Sequence, residues 1–181
     1  HNRTHSFPTR RSSDLLAESR FALARQRADR YRGEYAVIAD LEGTVFELCW
    51  GLVGLEKFLM DLYLGEAYVI RLLDRITDFN LATAERLTDL RCDMLWLGDD
   101  LGTQENMLLS PALYREHIKP RHQKIIAAAK RRNPQVKIAY HSCGAIAPVI
   151  PDLIEIGVDI LNPIQPLAKG MDLGALKREY G

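Results

Sequence analysis

The sequence lacks the features that mark several large classes of protein. No stretch approaches the roughly 18 consecutive apolar residues that a membrane-spanning helix requires. Lysine and arginine together number 24, as do aspartate and glutamate, so no excess of positive charge indicates a nucleic-acid partner. The three cysteines are an odd number without the spacing of a disulfide framework. We therefore expect a reduced, cytoplasmic, globular protein.

Phosphate-binding motifs are absent as well. No Gly-x-Gly-x-x-Gly follows any predicted strand, and no Gly-x-x-x-x-Gly-Lys loop occurs. These absences argue against a doubly wound sheet that binds a nucleotide.

The first 15 residues do not resemble part of a folded protein. Residues 5–15, HSFPTRRSSDL, are the in-frame translation of a common short-read sequencing adapter. The alternative is a basic, serine-rich tail or targeting arm, but a match over the whole of residues 5–15 favours the artefact. The last predicted helix stops at Gly181 without a tail. We therefore expect a fragment whose domain occupies residues 16–181.

Predicted strands and helices alternate along that domain. Short apolar runs bounded by turn residues predict strands at 35–39, 93–97, 136–140 and 158–161. Helical patterns cover 16–32, 44–51, 55–64, 66–91, 110–132, 145–156 and the stretch from about 172. Ser110-Pro111 is a helix start signal, and Pro120 predicts a kink. The pattern predicts βα units around a parallel sheet.

Each predicted strand delivers polar residues from its carboxyl end. They are Asp40 and Glu42, Asp99 and Asp100, His141 and Cys143, and Asn162 and Gln165. Active sites of (β/α)8 barrels are built at that rim. The fold predicted is therefore an α/β partial (β/α)8 TIM barrel. Four strands of the eight that a closed barrel needs are visible, which is about half.

The third strand end carries the clearest chemical signal. His141 and Cys143 are two positions apart, and alternating strand side chains direct both to the same face. An imidazole and a thiolate are two of the four ligands of a zinc site. The alternative is a buried cysteine beside a histidine that is hydrogen-bonded to a loop.

A third ligand is harder to find. Cys92 precedes the second strand and so lies at the opposite end of the barrel, while Cys49 sits in an apolar helix as a core thiol. His117 and His122 lie in a helix outside the barrel, where solvated or capping roles are expected rather than ligation.

Three stretches together resemble one family. Residues 97–104 (LGDDLGTQ) with 109–111 (LSP), residues 141–144 (HSCG) and residues 157–166 (GVDILNPIQP) are similar to the uroporphyrinogen decarboxylase superfamily. The resemblance covers residues 35–181. It implies a (β/α)8 barrel enzyme.

The resemblance also implies a function. Within the superfamily the His-x-Cys strand end is typical of zinc methyltransferases that move a methyl group from a corrinoid on a partner protein to a thiol. His141 and Cys143 would then be zinc ligands. The third, usually a cysteine on a later strand, is expected beyond residue 181.

Two alternatives accompany that expectation. The first is a metal-free decarboxylase acting on a porphyrinogen, although the Phe-Asp-Ser-Trp-Ala-Gly stretch of such enzymes is replaced here by residues 97–102. The second is a non-catalytic barrel that only binds a corrinoid protein.

The other rim residues are expected to take part in catalysis or substrate binding. Asp100 is expected to be catalytic, by orienting a metal ligand or the substrate, and Asp99, Asp40 and Gln165 are expected to bind substrate. For each of them the competing interpretation is structural, as a group that caps or stabilises a loop.

Overall fold

The computed structural model describes residues 16–181, so the adapter interpretation of residues 1–15 lies outside it. Its centre is a parallel sheet in which the strands follow one another in chain order. The strands are β1 (Ile38–Glu42), β2 (Met94–Gly98), β3 (Lys137–His141) and β4 (Ile160–Asn162). Neighbouring parallel strands joined by helical crossovers are the repeating unit of a (β/α)8 barrel. The predicted partial barrel is confirmed, with four strands among the described residues.

Helices precede the first strand, fill each connection between strands and follow the last strand. They are α1 (Glu18–Tyr31), α2 (Phe46–Val53), α3 (Leu55–Tyr63), α4 (Ala67–Thr88), α5 (Pro111–Leu113), α6 (Lys119–Arg132), α7 (Ile150–Glu155) and α8 (Leu173–Tyr180). A π-helical turn, Tyr114–Ile118, joins α5 to α6, and a 3-10 turn, Ala147–Val149, precedes α7. None of the described helices is long and apolar enough to cross a bilayer.

The two faces of the sheet differ in composition. Leu95, Leu97, Ile138 and Tyr140 are fully buried beneath the helices. Residues between them point to the opposite face, which forms the inside of the barrel, because strand side chains alternate. On that inner face Asp40 is exposed. The helix-covered side is thus the hydrophobic core, and the inner side carries the polar groups.

The first strand begins and ends later than predicted. The apolar run suggested residues 35–39, with Asp40 and Glu42 following it, but both residues lie within β1. The reason is the alternation itself: Ala39 faces the core, while the two carboxylates take the inner face of the sheet.

Two predicted helix features are present in modified form. Ser110 Oγ accepts a hydrogen bond from the Leu113 amide at 3.2 Å, which confirms the helix start. The irregularity predicted at Pro120 is the π-helical turn just before it. Proline cannot donate a backbone hydrogen bond and its ring crowds the carbonyl four residues earlier, and the wider turn relieves that crowding.

Candidate metal centre

The carboxyl ends of the four strands form one row across the sheet. Glu42 pairs with Gly98, Gly98 with His141, and His141 with Asn162. Gly98 is required at its place, because a Cβ there would lie 2.9 Å from the Cβ of His141. The row therefore projects the His141 ring from the inner face of the barrel rim.

The ring of His141 is held in one orientation by the neighbouring strand. Its Nδ1 lies 3.0 Å from the side-chain oxygen of Asn162, which can only accept a hydrogen bond. Nδ1 therefore carries the proton, and the lone pair of Nε2 is left free. A metal-binding histidine usually donates the N–H of its other ring nitrogen to such an acceptor.

Two further donor atoms converge on that nitrogen. The Sγ atom of Cys143 lies 3.6 Å from His141 Nε2, and Asp100 Oδ1 lies 3.5 Å from it. All three donor atoms lie within 4.8 Å of one another. Tetrahedral zinc with bonds of 2.0–2.3 Å separates its N, S and O ligands by about 3.4–3.6 Å. The donor types therefore suit zinc, and the two distances to His141 Nε2 match the spacing of its ligands.

Asp100 also fixes the loop that carries the thiol. Its Oδ1 accepts the backbone N–H of Cys143 at 2.7 Å, so the loops after β2 and β3 are joined beside the donor atoms. The predicted catalytic residue thus lies in the candidate metal centre as a third possible ligand. The expected cysteine beyond residue 181 stays a prediction.

The other two cysteines lie elsewhere, as predicted. Cys49 is fully buried in α2 and Cys92 is 1% exposed just before β2. Of the three free cysteines, only Cys143 is partly accessible.

Burial and neighbouring carboxylates together determine the electrostatics of the centre. Burial, followed by the charge of Asp100, raises the pKa of the Cys143 thiol. Burial also raises the pKa of Glu47, with the charges of Asp99 and Asp100 as the next causes. Glu42 contributes another carboxylate oxygen, 3.9 Å from His141 Nε2. These acids make the rim a place where added negative charge is unfavourable.

Glu47 was missed by the sequence reasoning. It belongs to the first turn of α2, the helix that follows β1. The start of a helix that follows a barrel strand lies near the carboxyl ends of the strands, so an acidic residue there is a usable signal.

Asp99 does not have the predicted substrate-binding position. It is fully buried, and its carboxylate accepts the backbone N–H groups of Val45 and Glu47 and contacts His122 Nε2 at 2.7 Å. Adjacent residues point to opposite sides of a strand end, so Asp99 turns to the helices while Asp100 turns to the rim. The expectation of a solvated or capping role for His122 is also wrong, because its side chain is fully buried.

Gln165 links three loops. Its Oε1 accepts the Gly144 backbone N–H at 3.0 Å and the Gln104 side-chain amide at 2.8 Å. These contacts are the loop-stabilising role that competed with substrate binding. Asp40 accepts the backbone N–H of Glu42 at 2.9 Å and lies one layer below the rim row. Substrate binding by Gln165 and Asp40 stays a prediction.

Two glycines allow the loops after β2 and β3 to touch. Gly144 has φ +87°, and a Cβ on it would lie 2.4 Å from the carbonyl carbon of Gly102. Backbone packs directly on backbone at this point, which brings Asp100 and Cys143 into register.

Comparison with known proteins identifies the family. The model of the family described as uroporphyrinogen decarboxylase (URO-D) matches residues 20–167, most of the chain. The chain belongs to the uroporphyrinogen decarboxylase family. The resemblance inferred from the strand-end motifs is thereby confirmed. No curated protein sequence matches the chain.

A solved structure shares the fold of this family member. A methyltransferase from Methanosarcina mazei superposes with a TM-score of 0.63 at 19% sequence identity. The match covers 78% of this chain and 41% of the methyltransferase chain, so the chain spans less than half of that protein. At this identity the likeness shows the barrel architecture.

Proposed function

We propose that this domain is the zinc-binding part of a methyltransferase that moves a methyl group from a corrinoid to a thiol. The observation that carries the proposal is the convergence of His141 Nε2, Cys143 Sγ and an Asp100 oxygen within 4.8 Å at the barrel rim. The similarity to a methyltransferase structure supports it through the fold.

Different residues of the chain would bind the metal and orient its ligands. His141, Cys143 and either Asp100 or the cysteine expected beyond residue 181 would be the three protein ligands, which leaves one tetrahedral position for the substrate. Zinc bound there supplies a Lewis acid that keeps a substrate thiol in its nucleophilic thiolate form at neutral pH. Asn162 holds the His141 ring through Nδ1.

Acidic groups around the centre can receive the proton that the thiol loses. Glu47 has a raised pKa because of burial and of the neighbouring Asp99 and Asp100 charges, which makes it a stronger base than an ordinary carboxylate. A methyl-corrinoid would supply the methyl group for a new carbon–sulfur bond and would retain the electron pair of the carbon–cobalt bond that is lost. The corrinoid would be carried by a partner protein.

Metal content tests the proposal directly. We expect near-stoichiometric zinc in the purified protein, and its loss in the double variant His141→Ala with Cys143→Ala. Cys92→Ala is the matched control, because this thiol is buried near the opposite end of β2 and its removal should leave zinc in place. A protein that binds no zinc but decarboxylates a porphyrinogen would overturn the proposal in favour of the metal-free alternative.

Methyl transfer separates the proposal from the non-catalytic alternative. Thiol methylation is measured in a protein that contains a whole barrel around this domain, with free methylcobalamin as the donor and a series of small thiols as acceptors. Activity that requires zinc and depends on His141 supports an enzyme. Stoichiometric zinc without transfer to any thiol, together with binding of a corrinoid protein, would favour a barrel that only binds its partner.

A further inference from the structure

A buried acid–base pair, Asp99 and His122, lies next to Asp100 of the candidate metal centre. Asp99 and His122 are both fully buried, and His122 Nε2 lies 2.7 Å from Asp99 Oδ2. Neither side chain is exposed to solvent, so neither can contact a substrate. Neither has a direct role in the proposed reaction.

Asp99 joins three elements around the centre. Its carboxylate accepts the Val45 N–H at 2.9 Å and the Glu47 N–H at 2.8 Å, which holds the start of α2. Its own backbone N–H donates to the carbonyl oxygen of His141 at 3.1 Å. A shift of Asp99 would therefore displace Glu47 and the candidate zinc ligand His141.

His122 is the side chain that holds Asp99 from the other side. It reaches from α6, and in the described structure it is the one side chain that hydrogen-bonds to the Asp99 carboxylate. A buried carboxylate that loses a partner is strongly destabilised and relaxes towards water or another donor. Asp100 shares a peptide bond with Asp99, so that relaxation would move the Asp100 carboxylate.

We propose that His122 is a positioning residue, which through Asp99 holds Asp100 and Glu47 in place beside His141 and Cys143. The proposal rests on the proposed zinc centre. Few bonds link His122 to the candidate metal centre. His122 is hydrogen-bonded to Asp99, and Asp99 is joined to Asp100 by a peptide bond.

Three variants of helix α6 test the role. His122→Leu removes the donor, and His122→Gln keeps one, because the amide nitrogen of glutamine reaches approximately the place of Nε2. Ile125→Ala is the control, since this residue is fully buried on the same helix within the apolar core. Zinc affinity is measured by competition with a chelator, and the spectrum of the cobalt-substituted protein reports the ligand geometry.

We expect His122→Leu to weaken zinc binding roughly tenfold, the size typical for loss of an outer-shell partner, and to alter the cobalt spectrum. His122→Gln should restore most of both. Ile125→Ala should lower thermal stability while leaving zinc affinity and the cobalt spectrum close to those of the parent. Equal zinc affinity and equal spectra in His122→Leu and Ile125→Ala would overturn the positioning role.

A second readout keeps this test separate from the zinc proposal. Cys143 is the partly accessible cysteine, so its alkylation by iodoacetamide in the metal-free protein reports the neighbourhood of Asp100. If the parent binds no zinc, the zinc proposal fails, and a faster rate in His122→Leu than in Ile125→Ala still supports positioning, whereas equal rates refute it. Should His122→Leu not fold, His122→Asn, whose amide is too short to reach Asp99, replaces it.

Discussion

Removal of the hydrogen bond between Asn162 and His141 should weaken zinc binding without dismantling the strand. In Asn162→Ala the ring loses its acceptor at Nδ1, which lies 3.0 Å from the asparagine oxygen. The backbone carbonyl of Asn162 continues to accept the Ser142 N–H at 2.9 Å, because that bond does not involve the side chain. The perturbation is therefore confined to the orientation and tautomer of His141.

Two independent estimates give the expected loss of zinc affinity in Asn162→Ala. A neutral, partly buried hydrogen bond contributes about 0.5–1.5 kcal/mol. Loss of an outer-shell partner of a metal-binding histidine costs about 10- to 100-fold in affinity, and tenfold corresponds to about 1.4 kcal/mol. The two ranges meet near tenfold, so we expect the zinc dissociation constant of Asn162→Ala to rise by about that factor.

The assay is competition with a chromophoric chelator at a fixed pH. Asn162→Asp is the informative counterpart, because a carboxylate at the same place accepts the same N–H and makes the imidazole a better donor. It should bind zinc at least as tightly as the parent. Gln104→Ala serves as the control, since Gln104 is exposed and its side chain contacts Gln165. Unchanged affinity in Asn162→Ala would refute the assignment of His141 Nε2 as a ligand.

Three further predictions concern the thiol, the loop contact and the core. In metal-free protein the midpoint of the pH-dependent alkylation rate of Cys143 should lie above that of a free cysteine, because burial and then the Asp100 charge raise its pKa. Asp100→Asn should lower that midpoint. Gly144→Ala should lose zinc binding and at least 1–2 kcal/mol of stability, measured by urea denaturation, because φ is +87° and the Cβ would meet Gly102. Phe58→Ala should cost about 3–5 kcal/mol in the same denaturation assay, since its ring is fully buried, while zinc binding by the folded fraction stays unchanged.

The alternation of side chains along a strand was sufficient to predict the part of the candidate metal centre that neighbouring residues form. The two-residue spacing of His141 and Cys143 predicts that their side chains converge, and their donor atoms lie 3.6 Å apart. The same rule explains why only Asp100 of the adjacent pair Asp99 and Asp100 faces the rim. The strand count and the rim location also followed from the sequence, because each strand end is marked by polar residues.

Contacts between distant elements were not predictable in the same way. The bond between Asp99 and His122 joins a strand end to a helix 23 residues away. A signal for it does exist: His122 shares the buried face of α6 with Ile125 and Ala129, at helical spacing, and Ile118 of the preceding π-helical turn is buried as well. A histidine on an apolar stripe must find a buried partner, but the stripe alone does not say which one.

The negative charge of the rim bears on the choice between a zinc methyltransferase and a porphyrinogen decarboxylase. No described lysine or arginine forms an ion pair with Glu42, Glu47 or Asp100, and the raised pKa values of Glu47 and Cys143 have burial as their largest cause and the surrounding carboxylates as the next. A divalent cation would offset this negative charge and favour the ionised forms of the groups that bind it. A porphyrinogen brings several carboxylates of its own, which would add to the charge at the same place. On this ground we expect the described rim to suit a cation better than a polycarboxylate substrate.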